Sequence, residues 1–102
     1  MSARVVAVVV TWNRRALLEE SLAALAGQSH GLAGVVVVDN DSSDGTAALL
    51  DERYAHLDVV HLQQNTGGAG GFAVGIERAL THDPDLVWLL DDDTVPTPTA
   101  AE

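Results

Sequence analysis

Three consecutive carboxylates, at residues 91–93, follow the apolar run of residues 86–90. Adjacent negative charges repel one another, so they need solvent, nearby cations or a bound metal to relieve the repulsion. A buried strand that ends in acids places them at the edge where open α/β sheets bind ligands. The triplet therefore indicates a divalent cation that holds a phosphorylated substrate. The alternative is a solvated acidic turn before Thr94.

A second candidate segment is the glycine-rich stretch of residues 65–71, which has four glycines in its last five positions. Glycine lets the backbone approach a ligand closely, and free amides at a helix start favour anions. The stretch does not follow the first strand with G-x-G-x-x-G spacing, and it is not a G-K-[ST] phosphate loop. It is interpreted as an anion-binding loop, with a plain flexible loop as the alternative.

Asp39 and Asn40 follow a run of valines. They could read the edge of a nucleobase, because a carboxylate accepts from a ring N–H and an amide both accepts and donates. Asp41 and Asp44 are interpreted as turn and capping residues, since Asp44 stands in an ordinary helix-start sequence. The four histidines are interpreted as structural or exposed, because none is spaced as a metal pair.

Alternating strands and helices must position these segments. Apolar runs predict strands over residues 5–10, 35–38, 59–62 and 86–90. Helices are predicted from Asn13, as the cap, to about Gly27, from the turn at 41–46 through Tyr54, and from Phe72 onward. The residues predicted to face the core are Leu18, Leu22 and Leu25, then Ala47, Leu50 and Tyr54, and finally Phe72, Gly75, Ile76, Ala79 and Leu80.

The β-α-β-α-β-α-β order predicts an α/β fold with a parallel sheet and right-handed crossovers. In such a sheet the segments that follow the four strands share one edge. The candidate residues are therefore expected to converge, and this convergence is stronger support for a site than any one segment.

The composition narrows the possible functions. The 102 residues carry 15 acids against five Arg, with no Lys and a formal charge of −10. This balance argues against a nucleic-acid partner, which needs a basic surface. A phosphate ester bound by so acidic a protein needs a counter-charge, such as Mg²⁺ or Mn²⁺. With no Cys there are no disulfides, and no apolar run approaches the ~20 residues of a spanning helix, so a cytoplasmic location is expected.

Residues 8–14, 37–46 and 89–93 resemble the nucleotide-sugar-binding half of inverting family 2 glycosyltransferases. The glycine segment with Phe72 resembles the galactofuranosyltransferase and rhamnosyltransferase-like branch. The resemblance covers essentially the whole chain, as a single donor-binding region over residues 1–102. It implies the GT-A fold, a Rossmann-like parallel sheet with flanking helices, truncated after an Asp-x-Asp motif.

The resemblance also implies roles for individual residues. Asp91 and Asp93 match the Asp-x-Asp motif, which bridges Mn²⁺ or Mg²⁺ and the donor diphosphate. Asp39 and Asn40 would meet the uracil or its ribose. The other residues assigned to the nucleotide-sugar are Thr11, Arg14, Asn65, Gly67, Gly68, Gly70, Gly71, Asp91 and Asp92.

The activity implied is inverting transfer from a UDP- or dTDP-sugar to a glycan or lipid-linked acceptor. In the full-length enzyme this would serve cell-envelope glycan synthesis at the inner face of the plasma membrane. The family's general base, and a His that completes the metal site, lie in a second half that these residues lack. The chain alone is therefore expected to be inactive and to self-associate through its uncovered face.

Two alternatives remain. One is an incomplete fragment that serves only as a nucleotide-binding or interaction module. The other is a sugar-nucleotide nucleotidyltransferase, which the absence of Lys and of a basic loop after the first strand disfavours.

Overall fold

The strands and helices follow the order that the sequence predicts. The computed structural model describes residues 4–26 and 32–91, and no helix in these two stretches is long and apolar enough to cross a membrane. The predicted helix stop at Gly27, and Asp92 and Asp93, lie outside the described residues. The elements are β1 (Val5–Thr11), α1 (Arg15–Ala26), β2 (Gly34–Asp39), α2 (Thr46–Arg53), β3 (Asp58–His61), α3 (Gly67–Leu80) and β4 (Leu86–Asp91).

All strand pairings are parallel, in the order β3-β2-β1-β4, which confirms the predicted fold class. The strand β1 lies at the centre of the sheet and is almost wholly buried, as its unbroken apolar run predicts. The chain moves outward from β1 through β2 to β3 and then returns to place β4 on the other side of β1. The direction of winding therefore reverses between β1 and β4, the position at which open α/β sheets bind ligands.

Two helical layers cover the sheet. On one face, Val9 and Val37 pack with Leu18 and Leu22 of α1 and Leu50 of α2. On the other face, the alternate strand residues pack against α3, where Ala79 is fully buried. Successive residues of a strand point to opposite faces, so each strand serves both layers.

The predicted inward residues of α1 are confirmed, since Leu18, Leu22 and Leu25 are all buried. In α2 the prediction included Leu50 but omitted Leu49, which is 2% exposed.

In α3 the inward prediction for Leu80 is wrong, because this side chain is 62% exposed. The buried row of α3 is Gly71, Gly75 and Ala79, spaced by four residues. Leu80 is one residue further on, about 100° around the helix, and so leaves that row.

The glycines of α3 allow an unusually close approach to the sheet. A Cβ atom on Gly75 would lie 2.3 Å from Val8 Cγ1, and one on Gly71 would lie 2.6 Å from Val10 Cγ1. The helix begins at Gly67, so the expectation of a loop up to residue 71 is wrong. Glycine has poor helix propensity, and packing of the backbone against the sheet overrides it here.

The outer strand β4 carries two exposed apolar side chains, Leu86 at 59% and Leu89 at 46%. They form part of the uncovered surface that underlies the predicted self-association, which stays a prediction.

Candidate functional site

The strands bring the predicted site residues that the structure describes to a single edge of the sheet. Thr11 lies opposite Asp39 in the β1–β2 register, and Asp39 lies opposite His61 in the β2–β3 register. On the other side of β1, Val10 is paired with Asp91. The ends of all four strands thus lie along the carboxyl edge, with the β1–β4 reversal among them.

Asp39 is buried on the face covered by α1 and α2, and it is 3% exposed. Its Oδ1 accepts a hydrogen bond from the Ser42 N–H at 3.0 Å. Its Oδ2 lies 3.2 Å from Nδ1 of His61. The other ring nitrogen of His61, Nε2, lies 3.1 Å from Oδ1 of Asp51 on α2. One imidazole ring therefore bridges two carboxylates from different elements.

Opposing influences act on the pKa of His61. Partial burial lowers the pKa, but the hydrogen bonds and charges of Asp51 and Asp39 outweigh it, so the net pKa is raised above the ordinary 6.5. From the sequence, His61 is interpreted as structural or exposed, and no role is predicted for Asp51. No local signal could have joined them, because their approach depends on how α2 packs beside the two strands.

Asn40 points to the opposite face and holds the start of α3. Its Oδ1 accepts from the Thr66 N–H at 2.9 Å. Its Nδ2 donates to the Gly67 carbonyl at 3.0 Å and to Asn65 Oδ1 at 3.3 Å. An Asn40 that read a base edge would have to give up or share one of these bonds, and its role there stays a prediction.

Asn65 closes the turn at the start of α3. Its Oδ1 accepts from the Gly67 N–H at 2.7 Å, and Gly67 has a φ of +76°, a conformation that side-chain-bearing residues rarely adopt. Gly70 lies against the Thr66 side chain, which a Cβ atom would approach to 2.7 Å. The glycines at 70 and 71 thus have a packing reason for their type, while donor binding by the backbone of residues 67–71, Gly68 included, stays a prediction.

The predicted capping of α1 by Asn13 is wrong. Asn13 has a φ of +50°, and its Oδ1 accepts from the Ser43 N–H at 2.6 Å. The Arg15 N–H at the start of α1 donates instead to Asp44 Oδ2 at 3.1 Å. The cap comes from the neighbouring loop because the two loops lie side by side at the carboxyl edge.

Asp44 accepts hydrogen bonds from the first residues of both α1 and α2, which confirms the prediction that it is a turn and capping residue. Besides its bond to α1, its Oδ1 accepts from the Thr46 N–H at 3.1 Å and from the Thr46 hydroxyl. Burial would raise the pKa of Asp44, but the hydrogen bonds from Thr46 and Arg15 outweigh it, and the net pKa is lowered.

Thr11 and Arg14 flank the same loop. The Thr11 side chain is buried, at 1% exposure, and its carbonyl accepts from the Asn40 N–H at 2.9 Å. Arg14 is exposed beside the start of α1. Between them Trp12 is 51% exposed, an aromatic surface at this edge that the residue-by-residue assignment did not include.

Of the two predicted metal ligands, only Asp91 lies among the residues that the structure describes. Asp91 is the last residue of β4, and Asp93 lies outside the described residues. Within the stretches 4–26 and 32–91, no three His, Asp or Glu side chains are grouped so as to hold a metal ion. Carboxylate oxygens at the end of β4 have the donor chemistry that Mg²⁺ and Mn²⁺ prefer, so the residue types suit such an ion.

Comparison with known proteins agrees with this architecture. The sequence profile described as glycosyl transferase family 2 matches residues 6–102. Galactofuranosyltransferase GlfT1 of Mycolicibacterium smegmatis is 41% identical over 95 residues, which are 93% of this chain and 32% of that protein. GlfT1 of Mycobacterium tuberculosis is 39% identical, over 91% of this chain and 31% of that protein. The chain spans about a third of the length of these curated relatives.

Solved structures show the same relationship. Staphylococcus aureus TarS in complex with UDP superposes with a TM-score of 0.80 at 27% identity, over 94% of this chain and 29% of that chain. The mannosyltransferase PcManGT of Pyrobaculum calidifontis, in complex with GDP-Man and Mn²⁺, superposes with a TM-score of 0.78 at 30% identity, over 96% of this chain and 30% of that chain. The resemblance to this family and to its galactofuranosyltransferase branch is thereby confirmed.

Proposed function

We propose that this chain, which belongs to glycosyl transferase family 2, binds the nucleotide-sugar donor of a glycosyltransferase at the carboxyl edge of its sheet. The observation that carries the proposal is the reversal of winding between β1 and β4. The parallel pairing of the strands brings Thr11, Asp39 and Asp91 to the carboxyl edge. At such a reversal, this is the edge where open α/β sheets bind ligands. Relatives of known structure bind UDP, UDP-GlcNAc and GDP-Man, which supports the class of ligand.

The donor proposed is a UDP-sugar, with a dTDP-sugar as the alternative base. Asp39 would accept a hydrogen bond from the pyrimidine or its ribose, because a carboxylate offers about four acceptor positions and keeps some after binding Ser42 and His61. Arg14 supplies an exposed positive charge beside the same loop. The start of α3 would lie beside the diphosphate, where a helix N-terminus favours an anion.

Asp91 and Asp93 would hold Mn²⁺ or Mg²⁺ next to the diphosphate. The formal charge of −10 makes approach of an anionic donor unfavourable unless a cation offsets it. Such an ion, when bound, stabilises the negative charge that develops on the departing nucleoside diphosphate. A structural relative contains Mn²⁺ together with its donor, which supports this part of the proposal.

The complete enzyme would transfer the sugar, with inversion, to a glycan or lipid-linked acceptor of the cell envelope at the inner face of the plasma membrane. The base that deprotonates the acceptor hydroxyl is assigned by the family resemblance to the enzyme's second half. The activity proposed for these 102 residues is therefore donor binding.

Calorimetric titration with UDP tests this proposal, once with Mn²⁺ and once with EDTA. We expect saturable binding only with the metal, and at least about tenfold weaker binding in Asp91→Ala and Asp93→Ala, since each removes a charged ligand of the ion. Glu52→Ala is the matched control, because it removes the same charge from an exposed position on α2. A folded chain that binds no UDP in either buffer would overturn the proposal.

A further inference from the structure

The contacts of His61 favour a doubly protonated ring. Nδ1 lies 3.2 Å from Asp39 Oδ2, and Nε2 lies 3.1 Å from Asp51 Oδ1. Ionised carboxylates only accept hydrogen bonds, so both ring nitrogens must carry a proton to make both contacts. A neutral imidazole has one N–H, and its other nitrogen would then face a carboxylate oxygen with a lone pair. The bridge from β2 to α2 is thus complete only with an imidazolium.

The three groups of this bridge differ sharply in exposure. The Asp39 side chain is 4% exposed, the His61 side chain 38% and the Asp51 side chain 69%. A buried carboxylate needs charged or hydrogen-bonding partners to offset the water it has lost. His61 is the partner of Asp39 that solvent can still reach, so it can exchange its proton with water without any opening of the core.

Within residues 4–26 and 32–91, both ion pairs of the His61 ring are with carboxylates. They come from Asp39 on β2 and Asp51 on α2, and α3 lies on the other face of the sheet. Burial acts to lower the pKa of His61, and the two carboxylates raise it by more, in agreement with the geometry.

We propose that His61, as an imidazolium, is a positioning residue that fixes the Asp39 carboxylate for nucleotide binding and makes this binding depend on pH. The inference rests on the nucleotide-binding function proposed above. With His61 protonated, both oxygens of Asp39 are held, one by the Ser42 N–H and one by the ring. When the ring loses its proton, one of its two contacts turns repulsive. Asp39 then loses the positive charge beside it and, in the tautomer that keeps its N–H on Nε2, its hydrogen bond from the ring as well.

The test is the affinity for UDP, measured calorimetrically with Mn²⁺ at several values between about pH 6 and pH 9, a window that spans the ordinary and the raised pKa of a histidine. In the unmodified chain we expect the Kd to rise about two- to fivefold across the window, the size of a partly exposed ion-pair contribution. His61→Gln keeps a single donor and cannot titrate, so its Kd should be raised at low pH and should change less with pH. His56→Gln is the matched control, because His56 is exposed between α2 and β3. UDP has ionisable groups of its own, but they affect the measurements equally for every variant. The effect of His61 is therefore read from the differences in Kd between variants.

Asp51→Asn provides a second variant, at a side chain that is 69% exposed. It removes the outer carboxylate but leaves Asp39 and His61 in place, so the midpoint of the affinity change should move to lower pH. NMR titration of the His61 ring should show the same displacement.

The outcomes separate the two proposals. The role of His61 would be overturned if the unmodified chain bound UDP with the same pH profile as His61→Gln. It would also be overturned if Asp51→Asn left the midpoint of the affinity change where it was. In both cases the proposed donor site would stand. A folded chain that binds no UDP at any pH would overturn both.

Discussion

The two edges of the sheet each contain an aspartate–histidine pair, but in opposite stoichiometry. At the amino edge, Asp58 at the start of β3 faces two basic groups. Arg78 Nε donates to its two oxygens at 3.0 and 2.8 Å, and His82 Nε2 lies 2.8 Å from Oδ2. At the carboxyl edge, a single base, His61, lies between the acids Asp39 and Asp51.

The surroundings of the two pairs differ as well. At the amino edge, Arg4 Nη2 donates to the His82 carbonyl at 2.7 Å, and Arg4 Nε donates to the Asp83 carbonyl at 3.1 Å. These bonds tie the end of α3 to the start of the sheet, and the negative charge of Asp58 is paired with the Arg78 guanidinium. At the carboxyl edge, negative charge is left over even when His61 is protonated, and Asp91 ends the strand beside β1. The contacts at the amino edge stabilise the fold, whereas the carboxyl edge keeps negative charge that the proposed cation would neutralise.

Both edges depend on α3, because Arg78 lies in its last turn, His82 follows just beyond its end, and Asn40 holds the turn at its start. Gly75 lies between them, where an added Cβ atom would lie 2.3 Å from Val8 Cγ1. Gly75→Val should lower the free energy of unfolding by about 3 kcal/mol, because overpacking forces the helix off the sheet. Urea denaturation measures this, with Ala73→Val at an exposed position of α3 as the control. Equal stability of the two variants would show that the close approach is dispensable.

The amino edge alone should respond to Asp58→Asn. This change removes the charge that His82 and Arg78 share, and the loss of the hydrogen bond to His82 should cost about 1 kcal/mol after screening by solvent. Thermal or urea unfolding measures the loss, and Asp51→Asn, exposed at the carboxyl edge, should cost less. We expect no change in UDP affinity for Asp58→Asn. A weakened UDP affinity in this variant would mean that the two edges do not act separately.

Local sequence patterns account for the elements and for the shared edge. The valine runs predict β1 and β2 because parallel buried strands are continuously apolar, and the spacing of Leu18, Leu22 and Leu25 predicts the inner face of α1. The parallel order then places Asp39 at one edge with the other candidates, before any contact is known.

Contacts between distant segments could not be predicted in the same way. The cap of α1 is Asp44 rather than the adjacent Asn13, because the fold brings a loop 29 residues away beside the helix. The ring of His61 meets Asp39 and Asp51 only through strand order and helix packing. The glycines of α3 indicate a loop by propensity, yet they form a helix because the sheet fits against a backbone without side chains.

The smallest expected effect is also the one that separates the two edges most directly, namely the pH dependence of stability. For His61 the folded pKa is raised above 6.5, so its contribution is fully present below that value and is lost as the pH rises through the folded pKa. For Asp58, burial raises the pKa, but Arg78 and His82 outweigh burial and lower it below 3.8. Its contribution is therefore present above that value and is lost as the pH falls through the folded pKa.

The two contributions should disappear at opposite ends of the pH range. Thermal unfolding followed from acid to mildly alkaline pH should show a shallower alkaline loss in His61→Gln and a shallower acid loss in Asp58→Asn, each relative to the unmodified chain. Other carboxylates, Asp44 among them, also lose stabilising bonds in acid, so only the difference between variant and parent reports on Asp58. A variant that flattened both limbs would show that protonation at one edge is transmitted to the other. Because the sheet between the clusters is uncharged valine and alanine, we expect each variant to change its own limb alone.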